Sequence, residues 1–145
     1  MLGIKNYPQS HVDACRRSLD AQLAAYRDLV AAAGIGTGAA GEAAIAGFAP
    51  AFFANLVLAL DTWFVHRLRG VEGKDGNPIN EVRVLVGSLV QSDGVLTADK
   101  TIVLKPETSV LGLKYGDRIA LTEADFVALS AAFLAEIEAR FVAPE

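Results

Sequence analysis

The chain has a single cysteine, Cys15, among 145 residues, so it cannot close an internal disulfide. Disulfide scaffolds and CxxC redox or zinc motifs are excluded with it, and a reducing, cytoplasmic compartment is the expectation. Histidine is nearly as scarce, with only His11 and His66. That leaves no HExxH zinc motif, no Glu-x-x-His pair of the bundle metal sites and no Arg-x4-6-His ribonuclease motif. Positive charge is in deficit: 13 Lys and Arg stand against 17 Asp and Glu, a net charge of −4. Binding through phosphates needs a basic excess, at least locally. The most basic stretch, His66 to Arg83, sets Arg67, Arg69, Lys74 and Arg83 against Glu72, Asp75 and Glu81. Such a balance describes an ion-pair network, and nucleic acid is not an expected partner. GxSxG, P-loop and activated-serine patterns are also missing.

What is abundant is apolar. Hydrophobic residues make up 52% of the chain and charged ones 21%, far from the disordered class. A chain this long buries about two-thirds of its unfolded surface in one core without staples. A membrane span is the first alternative to test. The apolar run Ala51 to Val65 contains Asn55 and Asp61 and falls short of the roughly 20 residues a span needs. The expectation is therefore a core helix, with no membrane partner. Met1 to Pro8 lacks the apolar stretch of a signal peptide.

Apolar residues at Val12, Cys15, Leu19, Leu23, Tyr26 and Val30 recur at steps of three and four. They predict a helix over about 10–33, opened by Ser10 with Asp13 three residues on. Gly34 to Pro50 holds five glycines and reads as a flexible connection, with room for a short helical turn around Glu42 to Ala46. The period resumes with Phe52, Phe53, Leu56, Val57, Leu60, Phe64 and Leu68. This predicts a second helix over about 51–69, stopped by Gly70. Asn77-Pro78 has the chemistry of an N-cap followed by a first helical residue. A third helix over about 78–91 follows, apolar on most of its circumference through Ile79, Val82, Leu85, Val86, Leu89 and Val90. Short β-like runs at Thr101–Leu104, Ser109–Leu113 and Arg118–Leu121, with a turn at Lys114–Asp117, predict a ribbon over about 101–121. Thr122 with Asp125 then caps a last helix over about 122–142. The fold expected is mainly α: a four-helix bundle-like single domain over residues 1–145, with a small β-hairpin or ribbon between helices three and four.

Two local patterns invite functional readings. Gly36-Thr37-Gly38-Ala39-Ala40-Gly41 spells GxGxxG, with Asp61 twenty residues beyond its last glycine. A dinucleotide site needs those glycines between a strand and a helix, whereas here a helix precedes them. A linker is expected, and no cofactor. The second pattern is the polar corner of Asp61, His66, Glu72, Asn77, Glu81 and Arg83. It suits either an ion-paired structural corner or a small site with His66 as general base, a carboxylate orienting it and arginines holding an anion. No metal site is assigned from spacing. His11, Asp13 and Cys15 alternate along one helix and do not face one another, while Cys15 belongs to the apolar stripe.

Phe52-Phe53-Ala54-Asn55, Leu58-Ala59-Leu60-Asp61, Phe64-Val65-His66-Arg67-Leu68-Arg69 and Glu72 to Pro78 form a continuous block. With Asn80-Glu81-Val82-Arg83, Ala98 to Ile102 and Leu121 to Phe126, it resembles a bacterial conserved-hypothetical family with no assigned activity. The resemblance implies no catalytic residue. The functional expectation is a cytoplasmic structural or interaction module that self-associates as a homo-oligomer, because the third helix and the wide stripes of the second and fourth exceed what one small core needs. The alternative is a small enzyme or a ligand- or metal-binding protein at the corner of His66, Asp61, Glu72, Glu81 and Arg83.

Overall fold

The computed structural model describes residues 3–34 and 38–144. Among them the chain forms five helices: α1 (Gln9–Gly34), α2 (Gly38–Thr62), α3 (Arg69–Glu72), α4 (Pro78–Gln91) and α5 (Glu123–Phe141). The mainly helical, bundle-like, single-domain reading holds, and α2 packs on α1, α4 and α5. The core is aromatic at its centre. Phe53, Phe64, Phe126, Phe133 and Phe141 are fully buried, each contributing about 1.5–3 kcal/mol by leaving water.

The capping chemistry fixes α4 and α5. The Asn77 side chain accepts hydrogen bonds from the Ile79 and Asn80 amides, with Pro78 in the first turn. Thr122 and Asp125 form a reciprocal capping box, which satisfies two amides that would otherwise lack partners. Helix α1 begins one residue before Ser10, directly after Pro8.

Helix α2 departs from expectation at both ends. It begins at Gly38, not near residue 51, and carries Pro50 inside it. The stretch expected as a connection is thus mostly helix; alanine's high helix propensity and packing against α1 outweigh the glycines and the one hydrogen bond lost at Pro50. Within the GxGxxG pattern, Gly36 and Thr37 lie outside the described residues, Gly38 to Gly41 form a helical turn, and the described element before them is the helix α1. At its other end α2 stops at Thr62, not Arg69. The backbone tightens through bonds from Phe64 N to Asp61 O (3.0 Å) and from Arg67 N to Phe64 O (3.1 Å). Arg67 is thereby turned inward, and Gly70 sits inside the one-turn α3 instead of ending a helix.

The expected β-ribbon over 101–121 is absent: no strand occurs among the described residues. The pairing present is an isolated antiparallel bridge, Val95 with Arg118. Side chains have taken the amides a ribbon would have used. The Asp99 carboxylate accepts from Thr101 N (2.7 Å) and Ile102 N (3.1 Å). The Tyr115 hydroxyl accepts from Leu104 N, and Asp117 accepts from Lys114 N. Glu81 holds the Val110 and Leu111 amides at 2.8 and 3.0 Å. Leu96, Ile102, Leu104, Ile119 and Leu121 still point into the core, so the apolar positions were sound although the pairing was not.

Candidate functional site

The polar corner forms where α2 ends, α3 makes its single turn and α4 begins. Its centre is Glu72, fully buried. Glu72 Oε1 accepts from Arg67 Nε and Arg83 Nη2, both at 2.7 Å. Oε2 accepts from Asn80 Nδ2 at 2.8 Å and Arg83 Nε at 3.0 Å. Burial alone pushes the Glu72 carboxyl up; the hydrogen bonds and charges of Arg83 and Arg67 outweigh it and hold the group below its ordinary value. The same pairing pushes the Arg83 guanidinium up against the opposing effect of its own burial.

The remaining groups complete this centre from its edges. Arg67 donates to Phe64 O at 3.1 Å and lies over the Phe133 ring, 5.8 Å from its centroid. Its Nη1 is 2.9 Å from Asp61 Oδ1, an ion pair too poorly aligned to be a hydrogen bond, so that oxygen still has a free lone pair. Asn77 Nδ2 donates to Glu72 O and Asp75 Oδ1. Arg140, from α5, donates to Glu72 O at 3.0 Å and pairs with Asp75 at 3.1 Å. The loop between α3 and α4 requires glycine twice. Gly73 and Gly76 have φ of 79° and 83°, and a Cβ on Gly76 would meet the Val103 carbonyl oxygen at 3.0 Å.

The structure therefore gathers Asp61, Glu72, Asn77 and Arg83 and leaves out two sequence candidates. His66 is exposed; its backbone carbonyl receives the Ile4 amide at 2.8 Å. Glu81 is buried but faces the 110–111 amides. Asn80 and Arg140 do more for the corner than its spacing suggested. Asn80 is fully buried in the first turn of α4, and Arg140 arrives from 57 residues beyond Arg83, so no local pattern could place it. The expected pairing of Arg69 with an acid is replaced by a hydrogen bond to the Thr101 hydroxyl. A general base needs an imidazole within reach of a carboxylate and a substrate. Here the carboxylate is saturated with donors and closed to water, and the imidazole lies outside.

Elsewhere, His11 bonds the Trp63 carbonyl oxygen at 2.7 Å, with its ring stacked on Tyr7. Burial pushes the Cys15 thiol up to about 12, far from a reactive thiolate. Among the described residues no three His, Cys, Asp or Glu groups gather as metal ligands.

The largest uncompensated feature is the surface of α1 and α2. The Tyr26 and Phe52 rings stack at 5.2 Å, and Val30, Ala33, Gly41, Ile45 and the single charged residue Glu42 line the cleft between the antiparallel helices. On α2, residues Ala40, Ala44, Gly47, Ala51, Ala54 and Leu58 repeat at steps of four and three, forming one stripe. They are exposed or half-exposed, and a Cβ on Gly47 would meet nothing. On α1, Ala14, Ser18, Ala21, Ala25, Leu29 and Ala32 form a matching stripe, while Asp13, Arg16, Arg17, Asp20, Arg27 and Asp28 occupy the remaining arc. In an antiparallel pair, stripes offset in the same rotational sense from the contact line come to the same side of the hairpin. Neither stripe carries a charged residue, although Arg17 and Asp28 border that of α1, and Phe48, 44% exposed, and Leu29, 46% exposed, stand on the same side. Between Asp28 and Asp61 the sequence has one charged residue, Glu42. By length and composition α2 is also apolar enough to cross a membrane; starting at Gly38, it removes the length objection that the shorter Ala51–Val65 run raised.

No protein-family model matches the chain, and no curated protein or solved structure is found to be similar to it.

Proposed function

We propose that this protein is a cytoplasmic self-associating interaction module that dimerises through the uncharged face of the α1–α2 hairpin. The observation that supports the reading is the alanine and glycine face itself, exposed along both helices and without a charged residue in either stripe. The sequence pointed to an apolar surplus on α4 and on the wide stripes of α2 and α5; on α4, Ile79, Val82 and Leu85 go into the core while Val90 stays 67% exposed.

The dimensions suit a second copy. Helix α2 has 25 residues and is about 37 Å long at 1.5 Å per residue. Two adjacent helices with axes 8–10 Å apart present a face about 20 Å wide. The product, about 700 Å², is close to the roughly 800 Å² per partner of a stable interface. Small side chains let such helices approach closely, and a two-fold arrangement sets the same face against itself. A lipid surface is the competing occupant, but entry of the hairpin tip into lipid would take Glu42, one turn from the start of α2, out of water.

Sedimentation equilibrium from about 1 to 100 µM, range chosen around an expected micromolar constant, tests the reading. A mass rising from one chain to two supports it. A single-chain mass throughout, or co-sedimentation with lipid vesicles in place of dimerisation, overturns it. The enzyme alternative gains little support from the corner, where Glu72 is paired with Arg67 and Arg83 and the His66 imidazole lies outside.

A further inference from the structure

Three buried polar atoms at the edge of the corner make no hydrogen bond within the protein: the Tyr7 hydroxyl, Asp61 Oδ1 and Arg67 Nη2. Tyr7 is 6% and Arg67 4% exposed, so bulk water does not serve them. They belong to one neighbourhood: Arg67 Nη1 lies 2.9 Å from Asp61 Oδ1 and bonds the carbonyl of Phe64, whose ring packs edge-on against that of Tyr7. Apolar groups close in around them. The Tyr7 ring lies 5.0 Å from Phe64 and 5.9 Å from Phe141, and Arg67 covers Phe133. Buried polar groups in native proteins are nearly always satisfied, and where protein partners are lacking an internal water supplies the bonds, typically about three of them.

We propose that Tyr7, Asp61 and Arg67 form a built site for one internal water molecule, which ties the N-terminal segment to the polar corner. The donor and acceptor chemistry matches water. Arg67 Nη2 can only donate, the Asp61 carboxylate oxygen accepts, and the Tyr7 hydroxyl does either. A water oxygen accepts from the guanidinium and gives one hydrogen to the carboxylate, which leaves one bond for the phenol. An ion fits less well. Arg67 and Arg83 balance Asp61 and Glu72 in charge, so a cation would meet the guanidinium and an anion the carboxylate. The water completes a brace begun by the backbone, where Ile4 N bonds His66 O and Leu68 N bonds Ile4 O, each at 2.8 Å. This site is independent of the self-association reading.

A crystal structure of the wild-type chain at a resolution that orders solvent tests the proposal, together with magnetic relaxation dispersion of water in wild type and Tyr7→Phe. The expected result is one density peak within hydrogen-bond distance of all three atoms, and one fewer long-lived water in Tyr7→Phe. Direct bonds among the three atoms with no peak between them, a peak that refines as an ion, or equal long-lived water in both proteins overturns it. If Tyr7→Phe does not fold, the wild-type density decides alone.

Discussion

Replacing Glu72 with glutamine separates an architectural corner from a catalytic one. Glutamine keeps the shape but removes the charge, and its NH2 group is set against donors from Arg67, Arg83 or Asn80, all now bonded to the carboxylate. The Arg67 side chain, 1% exposed, would keep the Phe64 carbonyl and the angled pairing to Asp61 but no longer face a full carboxylate charge at residue 72. Breaking a buried ion pair from one side costs about 3–5 kcal/mol, a large part of the roughly 5–15 kcal/mol that stabilises a domain. At about 2–4 °C per kcal/mol for a chain near this size, the melting temperature should fall by roughly 6–20 °C. Urea unfolding followed by circular dichroism should show a lower midpoint with an unchanged slope. The pH dependence adds a second signature. Glu72 is held below its ordinary value when folded, so its contribution is complete above the unfolded carboxyl pKa of about 4.3 and is lost as pH falls through the lower folded value. Wild type should therefore lose stability on acidification more steeply than Glu72→Gln. Functional sites are commonly strained, and neutralising a catalytic carboxylate often stabilises a protein. A variant as stable as wild type, or more so, would refute the architectural account.

Glu81→Gln should loosen the 105–113 segment more than the helices. One of its two amide bonds is lost and the other loses its charge, at about 1–3 kcal/mol; hydrogen exchange should accelerate at Val110 and Leu111 while α5 stays protected. Cys15 should resist iodoacetamide at pH 8 in the folded protein and react on addition of denaturant, because burial holds the thiol protonated up to about 12; rapid alkylation of the native protein would contradict its placement. Phe133→Ala should cost about 3–5 kcal/mol by leaving a cavity, and Arg67, which covers that ring, should broaden in NMR spectra if the two are coupled as described.

Much of the helical framework was legible because local rules coincide with tertiary demands at α4 and α5. Asn77-Pro78 and Thr122 with Asp125 cap the helices they were expected to cap. The rule failed for α2. Local chemistry reads a run of glycines and a proline as a break, whereas packing along α1 keeps Gly41, Gly47 and Pro50 inside the helix. It failed again at 101–121, where the alternation of Ile102 and Leu104 with exposed neighbours is real. Long-range acceptors such as Glu81, unreadable from spacing, decide that those amides do not pair as strands. The corner was half legible. Asp61, Glu72 and Arg83 converge as their charges suggest, but a histidine within a tight turn has no readable direction, and His66 is exposed.

The most direct test of the self-association account is Gly47→Glu compared with wild type by sedimentation velocity over a range of concentrations. Gly47 lies on the exposed stripe with open space before it, so in the single chain glutamate should gain about 0.5–1 kcal/mol of helix propensity. At an interface it would place an unpaired carboxylate out of water. The account predicts a concentration-dependent dimer for wild type and a well-folded monomer for Gly47→Glu, with affinity weakened at least tenfold, about 1.4 kcal/mol. Identical sedimentation of the two proteins at every concentration would contradict it.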